Sequence, residues 1–577
     1  MGGLKLDKKI YEELKSKNFR EVENFILGFM RKDWGIDDSL SYRVAISALA
    51  LILKETKNKT SMMKYIENNI ADETTLTFIK KVEKEFYKWV EELANKFDID
   101  TLKAAVLFSE STRFTEVDMY STPEGIARLT IPLLGLKKED SILDLGSGVG
   151  SFLIQAALVS GSQNLYGVEV NTSSVIIANI RRFVLGLPIK VIQGNVLSQD
   201  FTNLSANKVF SNHPLGMRFP NLQNYINKNP RLKKYFREAK RTVSGDWVFN
   251  MSAYLTMKQP GKTVILMTNA GTWNKPDEGL RQKLVEEGAI EGVILLPARL
   301  LSTTMVSLTL IILSQNNKEI RMVDASEIYT EGRRQNLLES ADIEQILEAY
   351  KNDTTVSRKV TIGEIREQEY ILNPLRYIGI DIGIKDGIPL GSLCLSINRG
   401  AMIKSTELDE LASSDETNYH YLMVQNINDG IVDENLPSLI KIDEKYRKYC
   451  INDRNLIISK IFPFKVAMAH VKDNELILAN GNLYFIELDE TKVNPVFVQV
   501  FLQSEAGIAQ LNRFAKGAAM KSISIQDLKM IQIPNLSREK QDQIAEEYEN
   551  ICDELIVLQR QSDMIRDKKA RLLEGVI

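Results

Sequence analysis

The chain is poor in the residues that build metal centres and disulfide frameworks: 577 residues include only three cysteines and three histidines. Cys394, Cys450 and Cys552 lie far apart and form no Cys-x-x-Cys pair, so neither a zinc site nor a disulfide scaffold is expected, and a reducing cytoplasm suits the composition. No apolar run reaches the roughly 18 residues of a membrane-spanning helix, so no membrane partner is expected. The opening stretch MGGLKLDKKIYEELKSK lacks the apolar centre of a secretory signal. An excess of charge of one sign is also missing. The 73 basic and 76 acidic residues leave a net charge of -3, so any contact with a polyanion must come from local basic patches. With 44% hydrophobic residues the chain is globular, and its length exceeds what one core organises, so three or four domains are expected.

Hydrophobic periodicity divides the chain. Residues 1–112 read as helical, with apolar residues three and four apart at Ile46, Leu49 and Leu53 and again at Phe78, Val82, Phe86 and Val90. Residues 113–350 alternate short β-rich runs with helical stretches. The runs are SILDL (141–145), NLYGVE (164–169), IKVIQ (189–193), KVFSN (208–212), KTVILMT (262–268), EGVILL (291–296) and SLTLIIL (307–313). Near-continuous apolar strands separated by helices predict an α/β fold, a mainly parallel sheet covered on both faces. Residues 351–387 read as a connector, 388–535 as short strands and loops, and 536–577 as one long helix. In that helix Ile544, Ile551, Leu558, Ile565 and Leu572 recur every seven residues. Tyr548 and Leu555 occupy a second seam position that Ser562 and Lys569 then break, half of a coiled-coil pattern.

The run SILDL leads into Gly146-Ser147-Gly148-Val149-Gly150 and then a helical stretch. Glycines here let the backbone approach a ligand, and the helix N-terminus offers free N–H groups. The spacing is G-x-G-x-G rather than the G-x-G-x-x-G of dinucleotide sites. Asp144, just before the loop, would repel a pyrophosphate but suits the ammonium of a methionine moiety, which favours S-adenosylmethionine over NAD. Glu169, at the tip of the second strand, is placed to accept both ribose hydroxyls. Asn195, after the third, is either an adenine-edge ligand or an ordinary turn residue.

The fourth strand runs into Asn212-His213-Pro214-Leu215-Gly216. This loop resembles the Asn-Pro-Pro-Phe/Tyr loop of N6-adenine DNA methyltransferases, specifically the modification subunits of type I restriction-modification systems. The likeness extends to Tyr120-Ser121-Thr122-Pro123-Glu124-Gly125, Asp246-Trp247-Val248-Phe249, Gln259-Pro260-Gly261-Lys262, Leu280–Val285, Leu296-Pro297-Ala298 and Val323–Ser326. The resemblance implies a class I S-adenosylmethionine-dependent methyltransferase with a Rossmann-like seven-stranded sheet. It implies that the Asn212 side chain and the His213 carbonyl accept hydrogen bonds from the exocyclic amine of a flipped adenine, with Leu215 in the position of the stacking aromatic. It also implies that Thr122 and Pro123 close over the methionine end of the cofactor. Three residues depart from the family pattern. His213 replaces a proline, Leu215 an aromatic whose stacking is worth about 1–3 kcal/mol, and Asn195 a common aspartate. Phe219 is a candidate substitute for the missing ring.

The segment 228–241 carries seven basic residues and one acid, among them Lys228, Arg231, Lys233, Lys234 and Arg237, interleaved with Tyr235 and Phe236. It reads either as a phosphate-contacting surface or as an ordinary solvated face. The C-terminal part resembles half of a type I specificity subunit. Pro389–Leu393 and Ile397–Gly400 look like the start of a target-recognition domain, Leu456–Lys460 and Ala479–Leu483 like its central strands, and Lys516–Ser524 and Ile531–Pro534 like its end. Glu539–Ile544 opens the long helix. Arg399, Lys516 and Lys521 are its candidate DNA contacts. With one such domain present, a two-fold homodimer through the helix would read a bipartite site in double-stranded DNA. A restriction subunit is a further expected partner, since no nucleotide-binding G-x-x-x-x-G-K-[ST] loop or cleavage cluster is evident.

Two functions compete on these residues. The first is sequence-specific adenine-N6 methylation of DNA in a restriction-modification or related defence system. The second, motivated by His213 and Leu215, is a methyltransferase-like DNA-binding protein with impaired catalysis, acting as a regulator or defence scaffold.

Overall fold

The computed structural model describes all residues except 1–7, 35–38, 110–120, 217–221, 239–243, 302–305, 334, 379–385, 516–520 and 571–577. Tyr120, Phe219 and Lys516 therefore lie outside the described residues. The chain forms two compact units, Met1–Ile378 and Gly379–Ile577.

The first unit is organised by a nine-stranded sheet. Its strands are β1 (Ser141–Leu145), β2 (Asn164–Glu169), β3 (Ile189–Gln193), β4 (Lys208–Asn212), β5 (Lys262–Thr268), β6 (Ile290–Leu295), β7 (Leu308–Leu313), β8 (Glu319–Asp324) and β9 (Ser357–Thr361). Their order is β3-β2-β1-β4-β5-β7-β6-β8-β9. The pairs among β1 to β5 are parallel, and β7 runs antiparallel to both β5 and β6. All seven expected strands are present within a residue or two. The expectation of seven is corrected to nine, because β8 and β9 extend the far edge. Strand β9 falls inside the segment read as a connector.

The strand order reverses at β1, whose neighbours are β2 on one side and β4 on the other. In open α/β sheets ligands bind outside the carboxyl ends of the strands at such a switch point. Helices cover both faces. On one, Phe152 of the helix Ser151–Ser160 meets Phe210 of β4 at 4.2 Å between ring centroids, and both are fully buried. On the other, Trp247 of the helix Gly245–Thr256 is fully buried and donates its indole N–H to the Gly271 carbonyl at 2.9 Å.

The N-terminal region is helical, as its periodicity predicts: Ile46, Leu49, Val82, Phe86 and Val90 are buried in one core. That core includes Ile176, Ile177 and Ile180 of the helix Thr172–Val184, so the helical region packs on the sheet's own covering layer. Arg181 fixes this junction, donating to the Val106 carbonyl at 3.0 Å and the Ser109 carbonyl at 2.6 Å while buried.

The second unit holds a four-stranded antiparallel sheet in the order Cys394–Arg399, Leu483–Leu488, Leu456–Ser459, Val466–Met468. A three-stranded sheet is built on Leu476–Ala479. Leu456–Ser459 is a central strand as expected, whereas Ala479–Leu483 is the turn joining two strands. The helix Arg538–Ala570 packs through Ala545 and Tyr548, and the Tyr548 hydroxyl donates to Gln503 at 2.8 Å. Beyond it Ile551, Leu555, Leu558 and Ile565 are exposed. Among the described residues no helix is long and apolar enough to cross a membrane.

Because the Phe152–Phe210 contact seats a helix directly on β4, Phe210→Ala is expected to cost on the order of 3–5 kcal/mol. Chemical denaturation followed by tryptophan fluorescence checks this. Loss of less than about 1 kcal/mol would contradict the packing described.

Candidate active site

The carboxyl ends of β1, β2 and β4 converge on the glycine loop. Gly146, Gly148 and Gly150 have φ of 86°, 52° and 84°, a conformation that L side chains rarely adopt, which is why this loop needs glycine. The Gly146 and Ser147 N–H groups donate to the Val168 carbonyl at 2.9 and 3.0 Å, tying the loop down onto β2. Gly167 makes room for this approach, since a Cβ there would lie 2.7 Å from Ser147 Oγ.

Asp144 ends up 1% exposed, and its Oδ1 has no hydrogen-bond partner. Burial, and then the nearby Glu169 charge, push its pKa well above the usual carboxylate range. Ser147 Oγ is likewise buried without a partner. Glu169 is half-buried. It accepts the Gly148 N–H at 2.9 Å and the Asn171 N–H at 2.8 Å, one on each oxygen, so the carboxylate is fixed at the strand tip with lone pairs to spare. These features fit S-adenosylmethionine. A cation reaching Asp144 would relieve an uncompensated buried acid, and Glu169 is set to take hydroxyls. Asn195 behaves as a turn residue: its Oδ1 accepts the Leu197 N–H at 2.9 Å and its N–H donates to Gln199 at 2.7 Å.

Asn212 is 3% exposed at the end of β4. Its Nδ2 donates to Thr122 Oγ1 at 3.1 Å. Thr122 thus touches the catalytic-loop amide, while its neighbour Ser121 lies 3.2 Å from Ser151 Oγ at the start of the helix after the glycine loop. Pro123 caps the helix Glu124–Leu134. Pro214 and Leu215 are half-buried, and Leu215 packs against the core on one side.

The His213 ring is 1% exposed and stacks on Phe249 at 4.8 Å with an interplanar angle of 14°. Its Nε2 lies 3.6 Å from Asp246 Oδ1, too far for a hydrogen bond. The ring therefore anchors the loop rather than facing a substrate. The residue that sequence reasoning missed is Asp246. Its carboxylate accepts the Gly216 N–H at 2.8 Å, the Thr268 N–H at 3.1 Å and the Thr268 hydroxyl at 2.6 Å. One buried acid thereby pins the far end of the loop to the end of β5. Burial works to raise its pKa, but His213, Thr268 and Gly216 outweigh that and hold it down at about 2.

Of the basic segment, Lys228, Lys233, Lys234 and Arg237 are exposed and form no ion pair among the described residues. Arg231 is committed to the protein, reaching Thr202 Oγ1 at 3.0 Å, the Leu255 carbonyl at 3.1 Å and Asp200 at 3.5 Å. Phe236 is buried with Leu232 on the inner face of the helix Pro230–Glu238. In the second unit Arg399 donates to the Gly481 carbonyl at 2.7 Å, and exposed Lys521 lies 6.0 Å from the Phe462 ring centroid. An open cleft lined by Tyr254, Gln259, Glu287 and Gln315 lies at the opposite ends of the strands, away from this chemistry. Among the described residues no group of three or more His, Cys, Asp or Glu is placed to hold a metal ion.

This geometry can be set beside known proteins. Residues 109–382 match the N-6 DNA Methylase family. The matched residues take in every strand of the nine-stranded sheet. The MjaVIII methylase subunit of a type I restriction enzyme from Methanocaldococcus jannaschii is 28% identical over 316 residues, covering 50% of this chain and 54% of that protein. The MjaVII methylase subunit from the same organism is 26% identical over 283 residues, covering 44% and 48%. The chain spans about half the length of these curated relatives. Among solved structures, the type IIG restriction endonuclease BpuSI is similar in fold. Its TM-score is 0.50 at 13% identity, covering 91% of this chain and 74% of that one.

Two carboxylates of the first unit should bend its pH–stability profile in opposite directions. Asp246 has a folded pKa below its ordinary 3.8, so its stabilisation is present above about pH 4 and is lost as pH falls toward 2. Asp144 has a folded pKa above 3.8, so stability falls as pH rises from about 4. Thermal melts without ligand should show Asp246→Ala below wild type at pH 7, with the gap narrowing under pH 4. Asp144→Asn should melt above wild type at pH 7, with its gap also narrowing toward pH 4. Asp144→Asn melting below wild type at pH 7 would contradict an uncompensated buried acid.

Proposed function

We propose that the chain is a sequence-specific DNA methyltransferase that uses S-adenosylmethionine to methylate adenine at N6, in a restriction-modification or related defence system. The observation that carries this is the juxtaposition of a cofactor-type site (Asp144, the glycine loop, Glu169) with the Asn212 amide at adjoining strand ends within an N-6 DNA methylase domain. When bound, S-adenosylmethionine supplies the electrophilic methyl group. Asn212 Oδ1 and the His213 carbonyl accept the amine hydrogens, which turns the nitrogen lone pair toward that methyl. Leu215 presses on the flipped base where relatives of the resembled family stack an aromatic, which supports binding but weakly. Asp144, Gly146, Gly148, Gly150 and Glu169 hold the cofactor. For Thr122, Pro123 and Asn195 a supporting role around it is the reading.

In the same proposal the second unit is a target-recognition domain. The exposed cations Lys228, Lys233, Lys234, Arg237 and Lys521, together with Arg399, contact duplex DNA, and Lys516 joins them. Arg231 is the weakest of the set because its guanidinium is already engaged. The exposed stripe Ile551–Leu555–Leu558–Ile565 pairs with the same helix of a second copy, giving a two-fold reader of a bipartite site. Nuclease activity, where present, belongs to a separate restriction subunit.

The competing reading, a catalytically impaired DNA-binding regulator, is favoured by one observation: the His213 ring is turned into the core and Leu215 offers no aromatic face. Methylation mapping of a genome expressing the full chain separates the two. The proposal expects N6-methyladenine at one recurrent site. It expects none with Asn212→Ala, and turnover raised a few-fold by Leu215→Tyr, in line with about 1 kcal/mol of added stacking. DNA binding with no N6-methyladenine in wild type or Leu215→Tyr would leave the regulator reading standing.

A further inference from the structure

An asparagine amide has two chemically opposite ends, and only one of those on Asn212 is used by the protein. Its Nδ2 donates to Thr122 Oγ1 at 3.1 Å, whereas no group among the described residues hydrogen-bonds its Oδ1. The residues on either side are held firmly. Ser211 Oγ donates to the Leu145 carbonyl at 2.7 Å, and the loop beyond is pinned through Gly216 and Asp246 at 2.8 Å. The Asn212 backbone is thus fixed, and the remaining freedom is rotation of the terminal amide, a soft two-fold torsion. Rotation by half a turn would present N–H groups in place of the oxygen. A donor there would repel an exocyclic amine and attract a carbonyl. Thr122 itself is not loose, because its neighbour Ser121 contacts Ser151 and Pro123 caps a helix.

We propose that Thr122 is a positioning residue that sets the polarity of the Asn212 amide. By taking the N–H it keeps Oδ1 facing the pocket, and the pocket then selects a base with an exocyclic amine over one with a carbonyl at the same place. This rests on the reading of the domain as an adenine methyltransferase. Thr122→Val keeps the shape and removes the acceptor, while Thr122→Ser keeps the acceptor.

The test uses the full chain, tritiated S-adenosylmethionine and genomic DNA free of N6-methyladenine. With Thr122→Val, kcat should fall on the order of 10-fold to 100-fold, the loss typical of a misplaced reacting group. Thr122→Ser should turn over close to wild type. A second readout needs no turnover. Saturation-transfer NMR on protein loaded with S-adenosylhomocysteine should show 2′-deoxyadenosine binding preferred over 2′-deoxyinosine in wild type and in Thr122→Ser, and that preference narrowed in Thr122→Val. Unchanged kcat and preference in Thr122→Val, a Thr122→Ser protein as impaired as Thr122→Val, or a wild type indifferent to the two nucleosides overturns the role of Thr122. A wild-type chain that prefers deoxyadenosine but methylates no DNA defeats the methyltransferase reading instead, and the nucleoside comparison among the variants still decides for Thr122 or against it.

Discussion

A carboxylate buried at the end of a parallel strand, with no cation and no donor to meet one of its oxygens, is the constraint around which the first unit is arranged. Asp144 is there because β1 carries it to the point where the strand order reverses. Leaving an acid in that state costs free energy that a folded protein tolerates mainly where a ligand is meant to supply the missing partner. The glycine loop that follows is tied down onto β2 by the Gly146 and Ser147 N–H groups.

The loop after β4 depends on the same geometry one strand over. β4 pairs directly with β1, and the Asn212 carbonyl lies 3.8 Å from where a Gly146 Cβ would be. Cofactor loop and amide are thus neighbours by register alone. What the register does not fix is the shape of the loop beyond Asn212. Two tertiary clamps do that: the ring of His213 wedged on Phe249, and the Asp246 carboxylate across Gly216 and Thr268. A proline in place of His213 would stiffen the loop from within, whereas here packing and an acid stiffen it from outside.

Much of this was legible in the chain. The seven apolar runs fall on β1 to β7, and Asp144, the glycines, Glu169 and Asn212 all sit at or next to strand ends, because the near-continuous apolar runs of doubly covered strands and their Gly-rich exits are local signals. β8 and β9 were not read as strands because charges break up their apolar runs: SRKVT, at the sheet edge, has two basic residues in five, and EIRMVD is bounded by acids and carries an arginine. Asp246 escaped because its partners lie 30 and 22 residues away, and nothing around it in sequence marks a clamp. A basic segment suggested a surface, but at helical spacing Leu232 and Phe236 share one face and turn inward. In the second unit the stretch read as short strands and loops also concealed a short helix, Ser405–Leu411.

The most direct test is the proton balance of ligand binding. Calorimetric titration of the full chain with S-adenosylhomocysteine at pH 6, in two buffers of different ionisation enthalpy, reports protons exchanged per ligand bound. The ligand's own ammonium, of α-amino type with a pKa near 7.7–8.0, is already charged at that pH. Burial raises the Asp144 pKa and a cation beside it would lower it again, so binding releases protons, and Asp144→Asn abolishes the release. Binding without proton release, or no binding at all, would contradict the account.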